Sequence, residues 1–225
     1  MKRSEINQRI LEAITFFNTM NFKLPPWANW HPKDWEGKKN EVNEIIENML
    51  GWDLTDFGGG RFDQRGLLLF TIRNGNPHRD RKPYAEKIMI VEEDQETPMH
   101  FHWNKMEDII NRGGGNLVMV LFNCDEDENL NDNDIIVSVD GIKKRLPVGS
   151  QLVLTPGESI CLHQGLYHRF YGEKGKGKVL VDEVSAVNND NNDNRFLEDI
   201  GRFPEIEEDE PPLHFLVSDY KNFLL

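Results

Sequence analysis

The stretch "MHFHWNKMED", residues 99–108, sets His100 and His102 two apart, with Glu107 five residues further on. Side chains at that spacing share a face when the backbone is extended, because successive strand residues point to opposite sides. On a helix they would diverge by roughly 200°. Read as a strand, "TPMHFHW" turns Phe101 away and aims both imidazoles at whatever the strand faces. Glu107 follows "WNKM", close enough to return to the same place through a turn or bulge. Two neutral imidazoles and a carboxylate suit a divalent first-row metal with positions left for water or substrate. The plainer alternative is a pair of surface histidines.

The surrounding texture supports the extended reading. From residue 52 onward, short apolar runs such as "GLLLFTIRNG", "AEKIMIVEED", "NLVMVLFN", "DIIVSVDG" and "GKVLVDEVSAV" alternate with Gly, Pro, Asn and Asp. That spacing is typical of all-β sandwiches and barrels. The triple glycines at 58–60 and 113–115 lack the strand–helix context of a phosphate cradle and read as tight turns. Ahead of the β region, residues 4–22 place Ile6, Ile10, Ile14 and Phe17 at helical spacing, with Ser4 as N-cap. A double proline ends that helix, and Trp27, Trp30 and Trp35 follow, either lining a pocket or stapling a loop to the body. "NEVNEIIENMLG" predicts a second short helix with Gly51 as its C′ residue. The expectation is one domain over residues 1–225: a helical extension over 1–51, then a β barrel with a C-terminal tail over 52–225.

Composition narrows the partners. The chain has 225 residues, 38 % hydrophobic and 29 % charged, with a formal net charge of −13. Nucleic acid and anionic membranes need clustered Lys and Arg, so neither is expected. No apolar run approaches a membrane span, and "MKRSEINQRI" lacks an apolar segment after its basic residues. The chain reads as cytoplasmic, with Cys124 and Cys161 as buried free thiols. The acidic run "EIEEDE", 205–210, reads as a solvated loop, and His31, His78 and His214 as structural or surface residues.

Downstream, "GESICLHQGLYHRFYG" carries His163, Gly165 and His168. With the first stretch, it resembles the two motifs of the cupin superfamily, G-x5-HxH-x4-E-x6-G and G-x5-P-x-G-x2-H-x3-N. The first matches at His100, His102, Glu107 and Gly114, with Asp94 where glycine is usual. The second matches at Gly157, Gly165 and His168, with His163 in place of proline and Gly172 in place of asparagine. The resemblance implies a double-stranded β-helix (jelly-roll) barrel with His168 as fourth metal ligand and His163 as a turn or supporting residue. The blocks "FTIRNG", "KPYAEKIMIVEEDQETPMHFHWNKMEDIINRGGGNL", "PGESICLHQGLYHRF" and "DEVSAVNNDNNDNRF" resemble the D-lyxose isomerase family of sugar ketol-isomerases, from about residue 5 to 216.

That resemblance implies a metal-dependent aldose–ketose isomerase acting on D-lyxose and D-mannose, giving D-xylulose and D-fructose. It leans towards Mn²⁺, although the ligand types would accept Fe²⁺, Co²⁺ or Zn²⁺, and it implies a homodimer. Such chemistry needs a Lewis acid, a base for the carbon-bound proton and a shuttle for the hydroxyl proton. Strand alternation in "VLVDEVSAV" sets Val179, Val181, Glu183 and Ser185 on one face and Asp182 on the other, so Glu183 is the candidate base, unless it is a surface strand residue. Lys105 is either a donor to a sugar oxygen at the mouth of the site or a solvent-facing lysine. Asp193 and Arg195 either bind sugar hydroxyls or pin their loop as an ion pair, and Lys87 is a further sugar-binding candidate. The departures at His163 and at Asn188 and Asn189 are expected to touch no metal ligand. Rival readings are a phosphosugar isomerase, an Fe(II) cupin dioxygenase and a non-catalytic sugar-binding cupin.

Overall fold

The computed structural model describes residues 1–38, 40–76, 79, 81–189 and 192–223. His78, and Asp190 and Asn191 of the Asn/Asp tract, lie outside them. The chain opens with α1 (Arg3–Thr19), then two single 3₁₀ turns, α2 (Asn43–Glu47) and β1 (Gly51–Thr55). The strands β2 (Leu67–Arg73), β3 (Tyr84–Val91), β4 (His100–Phe101), β5 (Glu107–Gly114), β6 (Leu117–Cys124) and β7 (Leu130–Asn131) follow. Next come β8 (Ile135–Val139), β9 (Ile142–Leu146), β10 (Gln151–Leu154), β11 (Ser159–Leu162), β12 (Leu166–Gly172), β13 (Val179–Ala186) and β14 (Arg195–Phe196). A last short helix, α3 (Tyr220–Phe223), closes the described chain.

The strands form two antiparallel sheets, ordered β1-β2-β3-β13-β5-β11-β8-β9 and β10-β6-β12-β4-β14. Their inner faces share one core, with Leu69, Met89 and Val181 from the larger sheet and Met119, Leu121 and Phe170 from the smaller. This is the cupin barrel that the two motifs imply. The outer face of β1, β2, β3 and β13 is also apolar, because α1 lies across it: Ile6, Ile10 and Phe17 pack with Trp52, Phe70, Ile88 and Leu180. Burial on both faces explains why β2 and β3 read as almost unbroken apolar runs rather than alternating ones. No helix among the described residues is long and apolar enough to cross a membrane.

Several local expectations change. Ser4 is not the N-cap of α1; Lys2 is, and the Ser4 hydroxyl donates to Asp209 at 2.7 Å. The acidic run keeps its carboxylates exposed, as expected of a solvated loop, and is also strapped to α1. The Arg3 guanidinium binds Asp219 and Glu208, and Asn7 donates to Glu210 at 2.6 Å. Carboxylates settle there because the first turn of a helix leaves N–H groups unpaired and carries positive partial charge. The tryptophans act mainly as staples: Trp27 lies 4.9 Å from Phe70, and Trp35 lies 5.5 Å from Tyr220, ring centre to ring centre.

Gly51 is not a helix terminator. Met49 takes the left-handed conformation after α2 (φ 54°), while Gly51, at φ 125°, opens β1. A Cβ on Gly51 would fall 2.5 Å from the Tyr220 hydroxyl. Gly113 and Gly114 end β5 rather than forming a free turn, and a Cβ on Gly114 would fall 2.2 Å from the Lys178 carbonyl oxygen. Cys124 and Cys161 are free but only half-buried.

Candidate active site

Regular strand is brief at the first motif, since only His100 and Phe101 are paired. His100 sits directly opposite His168 of β12, and Phe101 turns the other way to pack edge-on against Tyr167 at 4.8 Å. His102 follows the strand, its carbonyl oxygen accepting from the Gly165 N–H at 3.0 Å. One ligand atom from each of His100, His102 and His168 lies within 4.8 Å of the others, and this is the one such group of His, Cys, Asp or Glu among the described residues.

The ring orientations fix which nitrogens are available. Nδ1 of His100, His102 and His168 lies 2.8, 2.8 and 3.0 Å from the carbonyl oxygens of Pro98, Asp193 and Leu166. A carbonyl only accepts, so each Nδ1 carries the hydrogen and each neutral ring presents an Nε2 lone pair. Glu107, the first residue of β5, adds Oε1 at 3.1 Å from Nε2 of His168 and 3.5 Å from Nε2 of His102. Lone pairs converging in a buried space repel one another unless a cation sits among them. The donor set therefore fits a divalent ion, with the three imidazoles able to hold it. Burial, reinforced by the neighbouring His168 and His102, keeps the His100 pKa well below its ordinary 6.5.

A second cluster adjoins the first. Glu183 on β13 pairs across the sheet with Lys87 on β3 and Ile109 on β5, facing inwards. Asp182 faces out, where Arg112 Nε donates to it at 2.9 Å. Lys105 is not at the mouth of the site but buried, with Nζ 2.7 Å from Glu107 Oε2 and 2.8 Å from Glu183 Oε1. Burial disfavours charge on all three, but attraction prevails. The Lys105 pKa rises, the Glu107 carboxyl is held well below the usual carboxylate range, and Glu183 is lowered too, with Lys87 assisting.

The other candidates take supporting places. The Asp193 carboxylate accepts from the backbone N–H groups of Asn104 and Lys105, at 2.8 and 3.0 Å, so it caps the turn between His102 and Glu107. Arg195 does not pair with Asp193; its Nε donates to Glu128 at 3.0 Å. Lys87 Nζ donates to Asn188 Oδ1 at 2.7 Å and lies 3.4 Å from Glu183 Oε1. Asn188 thus belongs to the site as a partner of both lysines, the second at 3.5 Å. His163 stays exposed, its Nδ1 bonded to the Gln164 carbonyl of its own turn. The cluster encloses a cavity of about 50 Å³, also lined by Phe57, Phe196 and Arg202. Arg202 stands in none of the motifs or blocks quoted from the sequence, and Asn188, although within "DEVSAVNNDNNDNRF", reads there only as a departure because an asparagine in an Asn-rich tract marks no position.

The model of the family described as D-lyxose isomerase matches residues 1–220. A "D-lyxose/D-mannose isomerase" of Serratia proteamaculans is 48 % identical over 227 residues, covering all of both chains. One of Escherichia coli O157:H7 is 49 % identical over 228 residues, covering 99 % of this chain and all of its own. Among solved structures, L-ribose isomerase of Cellulomonas parahominis with L-ribose superposes with TM-score 0.60 at 16 % identity, covering 92 % of this chain and 98 % of its own. L-ribose isomerase of Geodermatophilus obscurus gives 0.62 at 15 %, with the same coverage. At those identities the structural likeness speaks for the fold, while the sequence relatives and the family match speak for the chemistry. The chain belongs to the D-lyxose isomerase family, and it is a sugar aldose–ketose isomerase built on a cupin barrel.

Proposed function

We propose that this isomerase interconverts D-lyxose with D-xylulose and D-mannose with D-fructose, and that it depends on one divalent metal ion held by His100, His102, His168 and Glu107. The substrates follow the two relatives, both called D-lyxose/D-mannose isomerase. When bound, the metal supplies a Lewis acid that polarises the sugar carbonyl. Manganese and a homodimer come from the family resemblance, and the ligand types would also accept Fe²⁺, Co²⁺ or Zn²⁺.

Glu183 is the base. Its described contacts gather on Oε1, from Lys105 at 2.8 Å, Ser185 Oγ at 3.1 Å and Lys87 at 3.4 Å. Oε2 is the oxygen that takes the proton from C2 of the aldose and delivers it to C1, while the O2 hydroxyl proton passes to O1 and completes the ketose. Lys105 keeps that carboxyl ionised before transfer, and Lys87 and Asn188 hold the pair in place. The single observation that carries this reading is the placing of a buried carboxylate, Glu183, and a candidate metal ligand, Glu107, on the two sides of one buried ammonium.

The test is to load the purified protein with Mn²⁺ and follow ketose formation from D-lyxose, D-mannose and their phosphate esters. The reading requires xylulose and fructose from the free sugars. No turnover of either by metal-loaded protein, or a strong preference for a phosphorylated sugar, overturns it.

A further inference from the structure

The metal cavity has room for only a few water molecules, since one water needs roughly 10–15 Å³ of such space. An open-chain pentose or hexose needs far more, and small-molecule sites usually offer about 300–1,000 Å³. A second cavity of about 820 Å³, bordered by Asp53, Thr71, Asn104 and Asn188, adjoins it. Residues of the two linings touch one another, as where Lys87 of the small cavity donates to Asn188 of the large one at 2.7 Å. Thr71 borders the large cavity and its cross-strand neighbour Lys87 the small one. Asp53 borders the large cavity, and Arg202, which lines the small one, donates to it through Nη2 at 2.6 Å.

Arg202 lines the small cavity and is held by a residue that borders the large one. Its partner Asp53 is fixed on β1, cross-strand from Leu69, which also lines the metal cavity. Its own backbone is tied down by the Thr55 hydroxyl, which donates to the Arg202 carbonyl at 2.6 Å. Resting on the proposed isomerase reading, we infer that the Asp53–Arg202 pair forms the partition between the metal cavity and a vestibule that admits the sugar, and that Arg202 binds the sugar's distal hydroxyls. With O1 and O2 at the metal cavity, the rest of the chain must project past its wall. Among the described lining residues of the small cavity, Arg202 is the cation outside the Lys87–Lys105–Glu183 cluster. Its planar array of donors suits hydroxyl oxygens, and the Asp53 carboxylate holds it in register.

The experiment compares wild type, Arg202→Met, Arg202→Lys and Asp53→Asn, each metal-loaded. It reads metal content, melting temperature, kcat and KM for the preferred sugar, and the calorimetric affinity for D-arabinitol, a polyol that cannot isomerise. Losing a charged donor to a hydroxyl predicts that Arg202→Met weakens D-arabinitol binding and raises KM by about ten- to a hundredfold, with metal content unchanged. Arg202→Lys should recover part of that loss, and Asp53→Asn should give a smaller rise in KM. If Arg202→Met fails to fold, the other two variants decide by the same readings. Polyol affinity and KM within twofold of wild type in the folded variants overturn the inference. Wild-type protein that binds the polyol but isomerises no sugar would instead overturn the functional reading.

Discussion

Glu107 and Glu183 meet the same ammonium: Lys105 Nζ lies 2.7 Å from one carboxylate and 2.8 Å from the other, with all three side chains buried. Two buried carboxylates at this distance are tolerated because a cation stands between them. Removing it takes from Glu107 its lysine and leaves Glu183 with Lys87 at 3.4 Å as its remaining cation, and breaking comparable buried pairs costs about 3–5 kcal/mol. Lys105→Met should therefore unfold at markedly lower urea concentration and lose most of its activity. Unchanged stability would show that the three groups are not coupled as the distances require.

Glu183→Gln keeps the shape and removes the base. A positioned general base contributes about 10²–10⁴-fold, so kcat should fall by that factor while metal content stays at the wild-type level. Steady-state kinetics with metal analysis on the same sample reads both. Retention of kcat would remove Glu183 from its assigned role.

Asp193 touches no candidate ligand with its side chain, yet it holds the turn that presents two of them. Its carboxylate caps the N–H groups of Asn104 and Lys105, while its carbonyl oxygen accepts from His102 Nδ1. Asp193→Ala should loosen that turn and weaken metal affinity by about 10–100-fold, as for other groups that orient metal ligands. Competition against a fluorescent chelator measures it.

The metal-free protein should lose stability towards acid in two stages. His100 has a folded pKa below 6.5, so from pH 6.5 downward the unfolded chain takes up a proton that the folded chain refuses. Glu107 and Glu183 have folded values below 4.5, so their contribution is present above pH 4.5 and is lost as pH falls through those lowered values. In both windows the unfolded state binds more protons, and stability must fall with pH. Urea midpoints at pH 7.5, 5.5 and 4.0 should decrease in that order.

The β texture and the shared face of His100 and His102 were legible because strand alternation is a local rule, whereas the barrel and the place of His168 beside them came from the resemblance to the two cupin motifs. The alternation in "VLVDEVSAV" was enough to turn Glu183 inwards and Asp182 outwards, and "HFH" to separate Phe101 from its neighbours. Contacts that depend on distant chain were not legible. Ser4 looks like a cap until Asp209 is brought to it, and nothing in the exposed acidic run tells that it is tied to α1. The Asp53–Arg202 pair spans 149 positions, and the sequence leaves Lys105 open between a donor at the mouth of the site and a solvent-facing lysine because its two carboxylates arrive from different strands.

The most direct measurement is turnover of D-lyxose by one preparation before metal stripping, after it, and after adding metal back, with bound metal quantified at each stage. The account predicts one ion per chain in the active protein, loss of xylulose formation on stripping, and recovery on reloading. Undiminished isomerisation by protein shown to be free of metal would contradict it.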